Sequence, residues 1–549
     1  MRIRIPVFAL LSLMCTLSVG QSVDWLKKIK GNAYGNNLAI KVLDNGDVLA
    51  AGYFEDTVYF DNQTLTANGR EFFLARYSSS GTILSKKSIE IPSLPQIIPQ
   101  ISYIDVHGNV YFAGTFQNTL HIHLITLISI GQSDVFIEKL DSSGNFLWVK
   151  QFGSIESDDI WPFFVDDNDN IYFASPPYVM QGDTTRTPVR KLDENGNIVW
   201  EILLCSNQGW IGASGFGVDS ASNVYLTGAF TDTMMVSDNI STDTLSTDMY
   251  GDVFTMKINN LGVIQWVNPS DHTTPAGFDF FCYPEYICTD DSGNSYIIGT
   301  FEGTIDFDGF VLESDNPLYY SHDYFLAKYN HSGTVDWAER IGSYSSGEIS
   351  GLSTDNNSLF FTGTFYYDIR FDGVDYLSVG SENMYLAKYC TITGDKIWID
   401  HIEGEAEEAR LSVNENGDAF LIGPAYDTSL SFANSSFISH FDFNNPWDAL
   451  FVVKYSDKPG SISERQGTNA PLQLYPNPSS QFVTIAFDNP QNTAWNVALY
   501  DISGRQILRS FEISTGQFSI STANLPAGVY FIKLYCEKGE VRVGKVLVE

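Results

Sequence analysis

The chain has 549 residues, of which 44% are hydrophobic and 18% are charged, and 66 acidic against 31 basic residues give a formal net charge of −35. Nucleic acids and anionic membranes attract concentrated positive charge, so this balance argues against a nucleic-acid partner and disfavours a membrane-surface protein. The hydrophobic content is sufficient for a large core and excludes a disordered acidic polymer.

The first 20 residues are typical of a secretory signal peptide. Arg2 and Arg4 provide a positive start, residues 5–19 are mostly apolar, and Gly20 completes a small-residue cleavage site. The run is shorter than the ~20 residues that a membrane span needs. We therefore expect Sec-dependent export, cleavage after Gly20 and no transmembrane segment.

Five cysteines remain after cleavage, and their spacing contains no CxxC pair; they are Cys205, Cys282, Cys288, Cys390 and Cys536. An odd number without paired spacing argues against a zinc site and against a dense disulfide framework. Two alternatives stay open for Cys282 and Cys288, a bridge across a short loop or two small buried hydrophobes.

Internal repetition runs from about residue 22 to residue 457. One element joins an Asp or Asn turn to a strand, as in DVHGNVYFAGTF at 105–116, and a second is a strand such as FLAKY at 325–329. The first occurs at 44–54, 105–116, 167–174, 219–230, 291–301, 355–365 and 414–426, and the second at 73–77, 136–140, 188–192, 254–258, 325–329, 385–389 and 451–455. Seven copies of each predict seven similar units.

A third element places a Gly and then a Trp after the second strand, a spacing that predicts hairpins of constant register. Its tryptophans are Trp148, Trp200, Trp266, Trp337 and Trp398, with Ser85 at the first copy. No such strand follows the seventh unit, but VDWLKKIKG at 23–31, which contains Trp25, is similar to VDWAERIG at 335–342. A strand moved to the other end of a repeat array closes a ring without free sheet edges.

The predicted fold class is therefore all-β, with a seven-bladed β-propeller at 22–457 closed by an N-terminal Velcro strand. Six or eight blades are the alternative counts. The units resemble the SBBP-type bacterial propeller repeat, most closely at 290–337. That resemblance implies a propeller in a secreted setting, and it implies no reaction.

After a polar linker at 458–471, residues 472–549 contain short strand patterns separated by turns, which predict a small Ig-like β-sandwich. Four blocks of this module resemble the type A sorting domain of the type IX secretion system, and their marker residues are Tyr475, Pro476, Asn477, Pro478, Gly504, Pro526, Gly528, Tyr530 and Lys545. The resemblance implies a Bacteroidetes-type bacterium, the type IX secretion machinery as partner, release or display outside the outer membrane, and frequently attachment to surface lipopolysaccharide.

A basic residue recurs in the second strand of every unit, at Arg76, Lys139, Lys191, Lys257, Lys328, Lys388 and Lys454. One hypothesis is a positive ring that holds an anion in the central channel. The other, which we favour, pairs each cation with an acid five positions earlier, such as Asp134, Asp252 or Asp323, or with a turn aspartate.

Other candidate sites are weak. Turns such as 166–170 could bind calcium, although Asp and Asn also suit hairpin turns for backbone reasons. His121 and His123 share a strand face and could bind a metal, but no third ligand is apparent. Acid clusters at 158–159 and 403–408 could serve acid/base catalysis, and GASGFG at 212–217 is predicted to be a loop. Aromatics at Tyr319, Tyr320, Tyr366, Tyr367 and Trp447 could stack on carbohydrate.

No catalytic motif is present, so neither catalytic residues, a cofactor nor a metal site is predicted. The favoured function is a secreted or cell-surface binding or adhesion protein for a polysaccharide or another protein. A glycoside hydrolase or lyase with acids at the propeller mouth is one alternative, and a structural surface-layer component is the other.

Overall fold

The structure is a computed structural model that describes residues 20–548, apart from 36, 91–98, 176–177, 180–183, 208, 238–241, 247–250, 274–281, 315–321, 344–346, 405–407, 426–428, 434, 439–448, 459–472, 488, 490–494, 502–505, 523–524, 527 and 536–540. The expected signal peptide, except Gly20, and nearly all of the expected linker lie outside these residues. The chain divides into two compact units, Gln21–Asp457 and a C-terminal unit from Lys458 onward. The described part of the chain is all-β and contains no helix.

The strands of the larger unit, in chain order, are β1 (Gly20–Ala33), β2 (Ala39–Val42), β3 (Val48–Phe60), β4 (Gln63–Tyr77), β5 (Ile83–Glu90), β6 (Pro99–Ile104), β7 (Val110–Phe116), β8 (Thr119–Ile122), β9 (Ile125–Ile128), β10 (Asp134–Leu140), β11 (Phe146–Phe152), β12 (Phe163–Val165), β13 (Ile171–Ala174), β14 (Tyr178–Val179), β15 (Thr184–Leu192), β16 (Ile198–Asn207), β17 (Ile211–Val218), β18 (Val224–Phe230), β19 (Thr233–Ser237), β20 (Thr242–Ser246), β21 (Asp252–Ile258), β22 (Ile264–Pro269), β23 (Asp271–Thr273), β24 (Tyr283–Thr289), β25 (Ser295–Phe301), β26 (Thr304–Phe307), β27 (Phe310–Glu313), β28 (Asp323–Tyr329), β29 (Val335–Ser343), β30 (Gly347–Thr354), β31 (Ser358–Phe371), β32 (Val374–Cys390), β33 (Lys396–Ile402), β34 (Arg410–Val413), β35 (Ala419–Pro424), β36 (Ser429–Phe432), β37 (Ser435–Ile438) and β38 (Ala449–Lys458).

These strands form four-stranded antiparallel units in which consecutive strands pair. We name the four positions first, second, third and fourth strand. Within the described residues the units are β2-β3-β4-β5, β6-β7-β10-β11, β12-β13-β15-β16, β17-β18-β21-β22, β24-β25-β28-β29, β30-β31-β32-β33 and β34-β35-β38-β1. Third strands such as β28 are buried along their whole length, because each sheet is covered on both faces.

The first strands lie side by side in a cyclic order. β2 contacts β6, and the contacts continue through β12, β17, β24, β30 and β34, which in turn contacts β2. β1 is the fourth strand beside β38, although the two strands come from opposite ends of this unit. The N-terminal strand thus occupies the place that β5, β11, β16, β22, β29 and β33 occupy elsewhere.

Several fourth strands continue into the next unit. Beyond their own sheets, β16 pairs with β19, β29 pairs with β31 and β1 pairs with β3, and β23, which directly follows the fourth strand β22, pairs with β26. In each case the partner strand belongs to a hairpin of the next unit. This hairpin either follows the second strand of that unit or is a continuation of it. Neighbouring units are therefore joined by backbone hydrogen bonds as well as by side chains.

Tryptophan rings pack the fourth strand of one unit against a glycine turn of the next. A Cβ on Gly262 would lie 2.8 Å from Cγ of Trp200, and the backbone φ of +83° at Gly262 also favours glycine. The same arrangement places Trp25 on Gly81, Trp148 on Gly196, Trp266 on Gly333 and Trp337 on Gly394. The Gly and the Trp of the repeat are thus partners in adjacent units.

Trp25 follows the same geometry in the displaced strand. Its ring stacks on Tyr77 of the first unit at 6.1 Å and contacts Phe420 of the last unit at 6.2 Å. Trp266, within the array, lies in the same way between Tyr225 at 6.0 Å and Tyr329 at 6.2 Å. Unit seven therefore packs on unit one as unit four packs on unit five.

The prediction that 212–217 form a loop was wrong, because these residues lie in β17, a first strand. Glycine is needed there because the neighbouring first strand approaches closely. A Cβ on Gly217 would lie 2.7 Å from Cγ2 of Thr289, and one on Gly215 would lie 3.0 Å from Cγ2 of Ile287.

The C-terminal unit contains two sheets that share one core. Its strands are β39 (Gln473–Tyr475), β40 (Phe482–Ala486), β41 (Trp495–Asp501), β42 (Gln506–Ile513), β43 (Gln517–Ser521), β44 (Gly528–Tyr535) and β45 (Val541–Val548). One sheet has the order β39-β40-β43 and the other β42-β41-β44-β45. Val483 and Ile485 of the first sheet pack with Val497, Ile532 and Val546 of the second.

Removing β1 tests its role as the fourth strand of the last unit. A chain beginning at Asn32 leaves β38 without its neighbour and removes Trp25 from Tyr77, so we expect a lower melting temperature and faster aggregation than for a chain beginning at Gln21. Differential scanning calorimetry of the two chains measures this. Equal melting temperatures would contradict the assignment.

The Trp–Gly contact predicts that replacing the glycine by alanine lowers the free energy of unfolding by an amount that depends on packing. Both Gly262 and Gly373 have positive φ, but a Cβ at Gly373 would meet nothing within 4 Å. We expect Gly262→Ala to lower the free energy of unfolding by about 1–3 kcal/mol more than Gly373→Ala, because only the first forces a methyl group against a ring. Urea titrations provide the comparison, and equal losses would show that backbone strain alone is responsible.

Candidate functional site

The two ends of the units carry different side chains. We call the end where first strands lead into Asp or Asn turns the turn end, and the end where first strands begin the mouth end. At the turn end, Asp166 accepts hydrogen bonds from the backbone N–H groups of Asn168 and Asn170, both at 2.9 Å, and from the hydroxyl of Tyr172 at 2.9 Å. Asp105, Asp219 and Asp290 repeat this pattern with Tyr111, Tyr225 and Tyr296.

The turn aspartates therefore already have hydrogen-bond partners within the protein, which gives Asp and Asn a backbone role at these turns. The described residues contain one group of three potential metal ligands, Asp105, His107 and Asp169. Lys139 lies 3.1 Å from the Asp169 carboxylate and places a positive charge there. Of the two histidines that could bind a metal, His121 bonds Thr126 and His123 bonds Glu138, and neither belongs to a group of three potential ligands within the described residues.

The repeated basic residues also lie at the turn end, directly opposite the repeated tryptophans: Lys139 pairs with Trp148, Lys191 with Trp200, Lys257 with Trp266, Lys328 with Trp337 and Lys388 with Trp398. Carboxylates lie within 4.0 Å of six of them, in the pairs Arg76–Asp47, Lys139–Asp169, Lys257–Asp219, Lys328–Asp336, Lys388–Asp355 and Lys454–Asp418. Five of these partners belong to turns, and Asp336 belongs to the Trp strand.

Pairing with the acid five positions earlier was wrong. Five residues of strand span about 16 Å, so that acid lies at the opposite end of the sheet from the lysine. There, Asp323 bonds Arg340 at 2.9 Å, and Asp252 accepts from the His272 N–H at 2.8 Å.

The tryptophan side chains differ in how their indole N–H groups are bonded. Trp25, Trp148, Trp266 and Trp337 donate to backbone carbonyls of Ser79, Glu194, His331 and Thr391. Trp398 stacks on Tyr455 at 6.4 Å. In the described structure the buried Nε1 of Trp200 has no acceptor.

The mouth end carries aromatic rings at the start of three consecutive first strands; two of them are exposed and the third, Tyr283, is half-buried. Trp161 stands just before β12 and is 47% exposed, and Trp210 stands just before β17 and is 40% exposed. Tyr283 is the first residue of β24, and its ring centroid lies 6.1 Å from that of Trp210. Aromatic rings in this position present flat apolar faces to solvent.

Three carboxyl groups lie at the mouth ends of β24, β30 and β34, and they belong to Glu285, Glu348 and Glu408. Glu285 on β24 accepts a hydrogen bond from the Ile349 N–H at 3.3 Å. Burial raises the pKa of Glu285 to about 8; that bond opposes the shift, and the negative charges of Glu348 and Glu408 add to it. A half-buried carboxyl that keeps its proton at neutral pH can donate a hydrogen bond.

Arg410, the first residue of β34, extends across two neighbouring units. Its guanidinium donates to the Tyr286 hydroxyl at 3.4 Å and the Ser350 carbonyl at 3.5 Å, and it lies 3.3 Å from Glu408. The mouth end thus combines three aromatic rings, three carboxyl groups and one guanidinium, which together can stack on and hydrogen-bond a polar ring.

Sequence reasoning placed most of the candidate acids and aromatics elsewhere, but its cluster at 403–408 includes Glu408, one of the mouth-end carboxyls. Asp158 is buried and bonds the Ser154 N–H, and Tyr366 and Tyr367 lie in the hairpin that extends from unit six. Tyr319, Tyr320 and Trp447 lie outside the described residues. The signal that was available is position: Trp161, Trp210 and Glu285 lie at or near the start of the segment upstream of each Asp turn.

Cys205, Cys282 and Cys288 are free thiols, so Cys282 and Cys288 are not bridged. Cys282 is buried, and Cys288 is half-buried beside the cluster around Tyr296 and Leu359. They therefore follow the second of the two alternatives, small packing residues.

The sorting-motif residues fasten the start of the C-terminal unit to its last strand. The Asn477 side chain donates to the Lys545 carbonyl and accepts from the Leu547 N–H, both at 2.8 Å. The Tyr530 hydroxyl donates to the Pro526 carbonyl at 2.8 Å, and Gly528 begins β44. Tyr475, Pro476 and Pro478 are exposed at the surface of the unit, and Gly504 lies outside the described residues.

Lys191 is the exception among the repeated cations. Its ammonium lies 5.4 Å from the centroid of the Tyr172 ring, no carboxylate of the described residues lies within 4.0 Å, and burial lowers its pKa against the attraction of Asp166. Lys139, one unit earlier, bonds Asp169 of the following turn, where unit four has Ser222 in a similar positive-φ conformation.

We therefore expect Ser222→Asp to supply the missing partner and to raise the free energy of unfolding by about 1 kcal/mol at pH 7. The gain requires an ionised carboxylate, so it disappears as the pH falls below about 4. Ser222→Asn, which adds similar bulk without charge, is the control. Equal urea midpoints for the two variants at pH 7 would contradict the ion pair.

Comparison with known proteins gives a distant similarity. The chain is 22% identical over 407 residues to an uncharacterised WD repeat-containing protein of Acanthamoeba polyphaga mimivirus; the match covers 59% of this chain and 29% of that protein's length.

Among solved structures, a DUF4221-family protein from Bacteroides vulgatus is 11% identical, with 80% of this chain and 99% of that chain covered and a TM-score of 0.31. The extracellular domain of a one-component system from B. thetaiotaomicron is 11% identical, with 95% and 74% covered and a TM-score of 0.22. No functional argument rests on likeness of this degree.

The C-terminal unit gives the informative match. Residues 473–549 match the family model described as a secretion system C-terminal sorting domain. None of the described residues forms a helix with the length and hydropathy needed to span a membrane. The C-terminal unit is a sorting signal of the type IX secretion system, and it directs the protein out of the cell to the cell surface.

Proposed function

We propose that residues 22–457 form a seven-bladed β-propeller of the SBBP-repeat kind, closed by β1, followed by an Ig-like sorting sandwich. The support is the cyclic order of contacts between first strands and the equivalence of Trp25 with the tryptophans inside the array. In this architecture the first strands surround a central channel, and the mouth end is one opening of that channel. A cleaved Sec signal peptide at 1–20 and attachment to surface lipopolysaccharide belong to the same proposal.

The proposed activity is binding of a polysaccharide at the mouth end, in the service of adhesion or capture outside the cell. The observation that carries it is the row formed by Trp161, Trp210 and Tyr283 at the start of three consecutive first strands. Exposed aromatic rings stack on the apolar faces of sugar rings. The adjacent Glu285, Glu348 and Arg410 supply hydrogen-bonding groups for sugar hydroxyls, and a mixed set of this kind is typical of a ligand site.

A glycan array with the secreted protein tests this proposal. Trp161→Ala and Trp210→Ala are each expected to weaken binding of the best glycan by about tenfold, because a lost stacking contact removes on the order of 1–2 kcal/mol. Tyr367→Ala, which removes an exposed ring away from the first strands, is the matched control. Unchanged binding by both Trp variants would place the ligand elsewhere.

A glycoside hydrolase or lyase is the second candidate, favoured by one observation. Glu285 holds a proton near neutral pH while Glu348 and Glu408 lie near enough to influence it, and acid/base catalysis on glycans uses carboxyl groups in different protonation states. Release of new reducing ends from an array-positive glycan, and its loss in Glu285→Gln, would identify the enzyme. Binding without release would identify the non-enzymatic protein.

The raised pKa of Glu285 also predicts a pH-dependent stability. An unfolded Glu ionises near pH 4.5 and the folded carboxyl near pH 8, so the folded state retains a proton that the unfolded state loses between these values. Stability therefore falls as the pH rises through this window. We expect Glu285→Gln to match the wild type at pH 4 and to exceed it by about 2 kcal/mol at pH 8, roughly half of the full shift because the group is only half-buried. Urea titrations at both pH values measure it, and a difference that does not change with pH would contradict the assignment.

A further inference from the structure

A second site candidate lies on β1, away from the first strands. Lys27, Lys28 and Lys30 line a surface cavity of about 510 Å³ together with Tyr59, Asp61 and Asn62 of the β3–β4 hairpin. The cavity forms where β1 leaves the sheet of unit seven and crosses to the hairpin of unit one. Its volume falls within the range of small-ligand sites.

The cavity is lined by cations in an otherwise acidic protein. Lys30 stands directly opposite Tyr59 in the β1–β3 pair, is exposed, and has no carboxylate of the described residues within 4.0 Å. Lys27 lies 3.6 Å from Asp61, the one carboxylate in the lining. Lys86 bonds Gln63 at the same hairpin, 2.6 Å from its side-chain oxygen. The lining thus contains three ammonium groups and one carboxylate.

Lysine recurs at the position of Lys27, as Lys87 and Lys150 in units one and two. At the position of Lys30, five residues after the tryptophan, the other units have Gly153, Cys205, Asp271, Gly342 or Glu403, so the repeat does not require a cation there. Packing in this strand is provided by Val23 and Ile29, which are buried. Neither the repeat nor the packing of this strand therefore accounts for Lys30.

We propose that this cavity binds an anionic saccharide, with the ammonium groups of Lys27, Lys28 and Lys30 on its sulfate, phosphate or carboxylate groups and the ring of Tyr59 against a sugar face. Tyr59 is 46% exposed and lies beside Lys30, so a sugar can contact ring and cation together. The net charge of −35 does not prevent this, because at physiological salt exposed charges more than about 8 Å away are largely screened.

This site is independent of the proposed mouth-end site, and the experiment separates them. The probes are dextran sulfate, polygalacturonate, uncharged dextran and polyglutamate, each titrated into the secreted protein by calorimetry at 50 and 300 mM NaCl. We expect dextran sulfate or polygalacturonate to bind, with weaker binding at high salt, and the two uncharged or non-saccharide probes to bind at least tenfold more weakly. Equal binding of polyglutamate would overturn the saccharide assignment.

Variants locate the ligand. Replacing Lys27, Lys28 and Lys30 together by Gln is expected to weaken binding of the anionic saccharide at least tenfold, and Tyr59→Ala about threefold or more. Lys150→Gln, which removes a lysine from the equivalent strand of unit two, should leave it unchanged. If the triple variant does not fold, Lys30→Gln alone replaces it, because that side chain is exposed and its loss leaves no buried charge unpaired.

The outcomes are distinct. Full binding by the Lys variants, or an equal loss in Lys150→Gln, would overturn the assignment to β1. Loss of binding in Trp210→Ala with the lysine variants unaffected would assign the anionic saccharide to the mouth end. A neutral glycan that is lost in Trp210→Ala but retained in the lysine variants, together with an anionic saccharide that shows the reverse pattern, would support two separate sites.

Discussion

The contact on which the larger unit depends is the tryptophan ring seated on a glycine turn of the following unit. Each four-stranded sheet leaves an apolar face that only its neighbour can cover, and a turn residue with a side chain would keep the two apart. The Trp200–Gly262 contact shows why both positions recur together. The repeated cation lies directly opposite the tryptophan, so the same hairpin that presents the ring also presents an ammonium group to a turn aspartate.

The polar groups described at the turn end are hydrogen-bonded or ion-paired within the protein, so few of them are available to a ligand. Asp166 accepts from backbone and tyrosine donors, and six repeated cations have carboxylates within 4.0 Å. The side chains at the mouth end are not part of the repeated pattern, and they differ from unit to unit. This asymmetry is the physical reason why we place the glycan site among Trp161, Trp210 and Glu285.

The features that could be predicted from the sequence are those that recur in several units. The spacing of Lys328 and Trp337, and the displaced strand around Trp25, could be identified because each element has several copies to compare. The loop predicted at 212–217 failed because glycine has no strand preference, and its role in β17 depends on a neighbour that sequence does not show. The predicted pairing of each lysine with the acid five residues earlier was wrong because five residues of extended strand place the two groups about 16 Å apart. Glu285 was missed because its environment comes from three units.

The position of β1 has a consequence for the order of folding. Ser22 lies within hydrogen-bond distance of the Ser456 carbonyl, across 434 residues of sequence, so the strand that completes the last unit is made first and placed last. Contacts of such long range form slowly, because the loop between them must be closed before they contribute stability. Until then β38 and the β3 hairpin expose unpaired backbone, and a partly assembled chain is open to proteolysis or to pairing with another molecule.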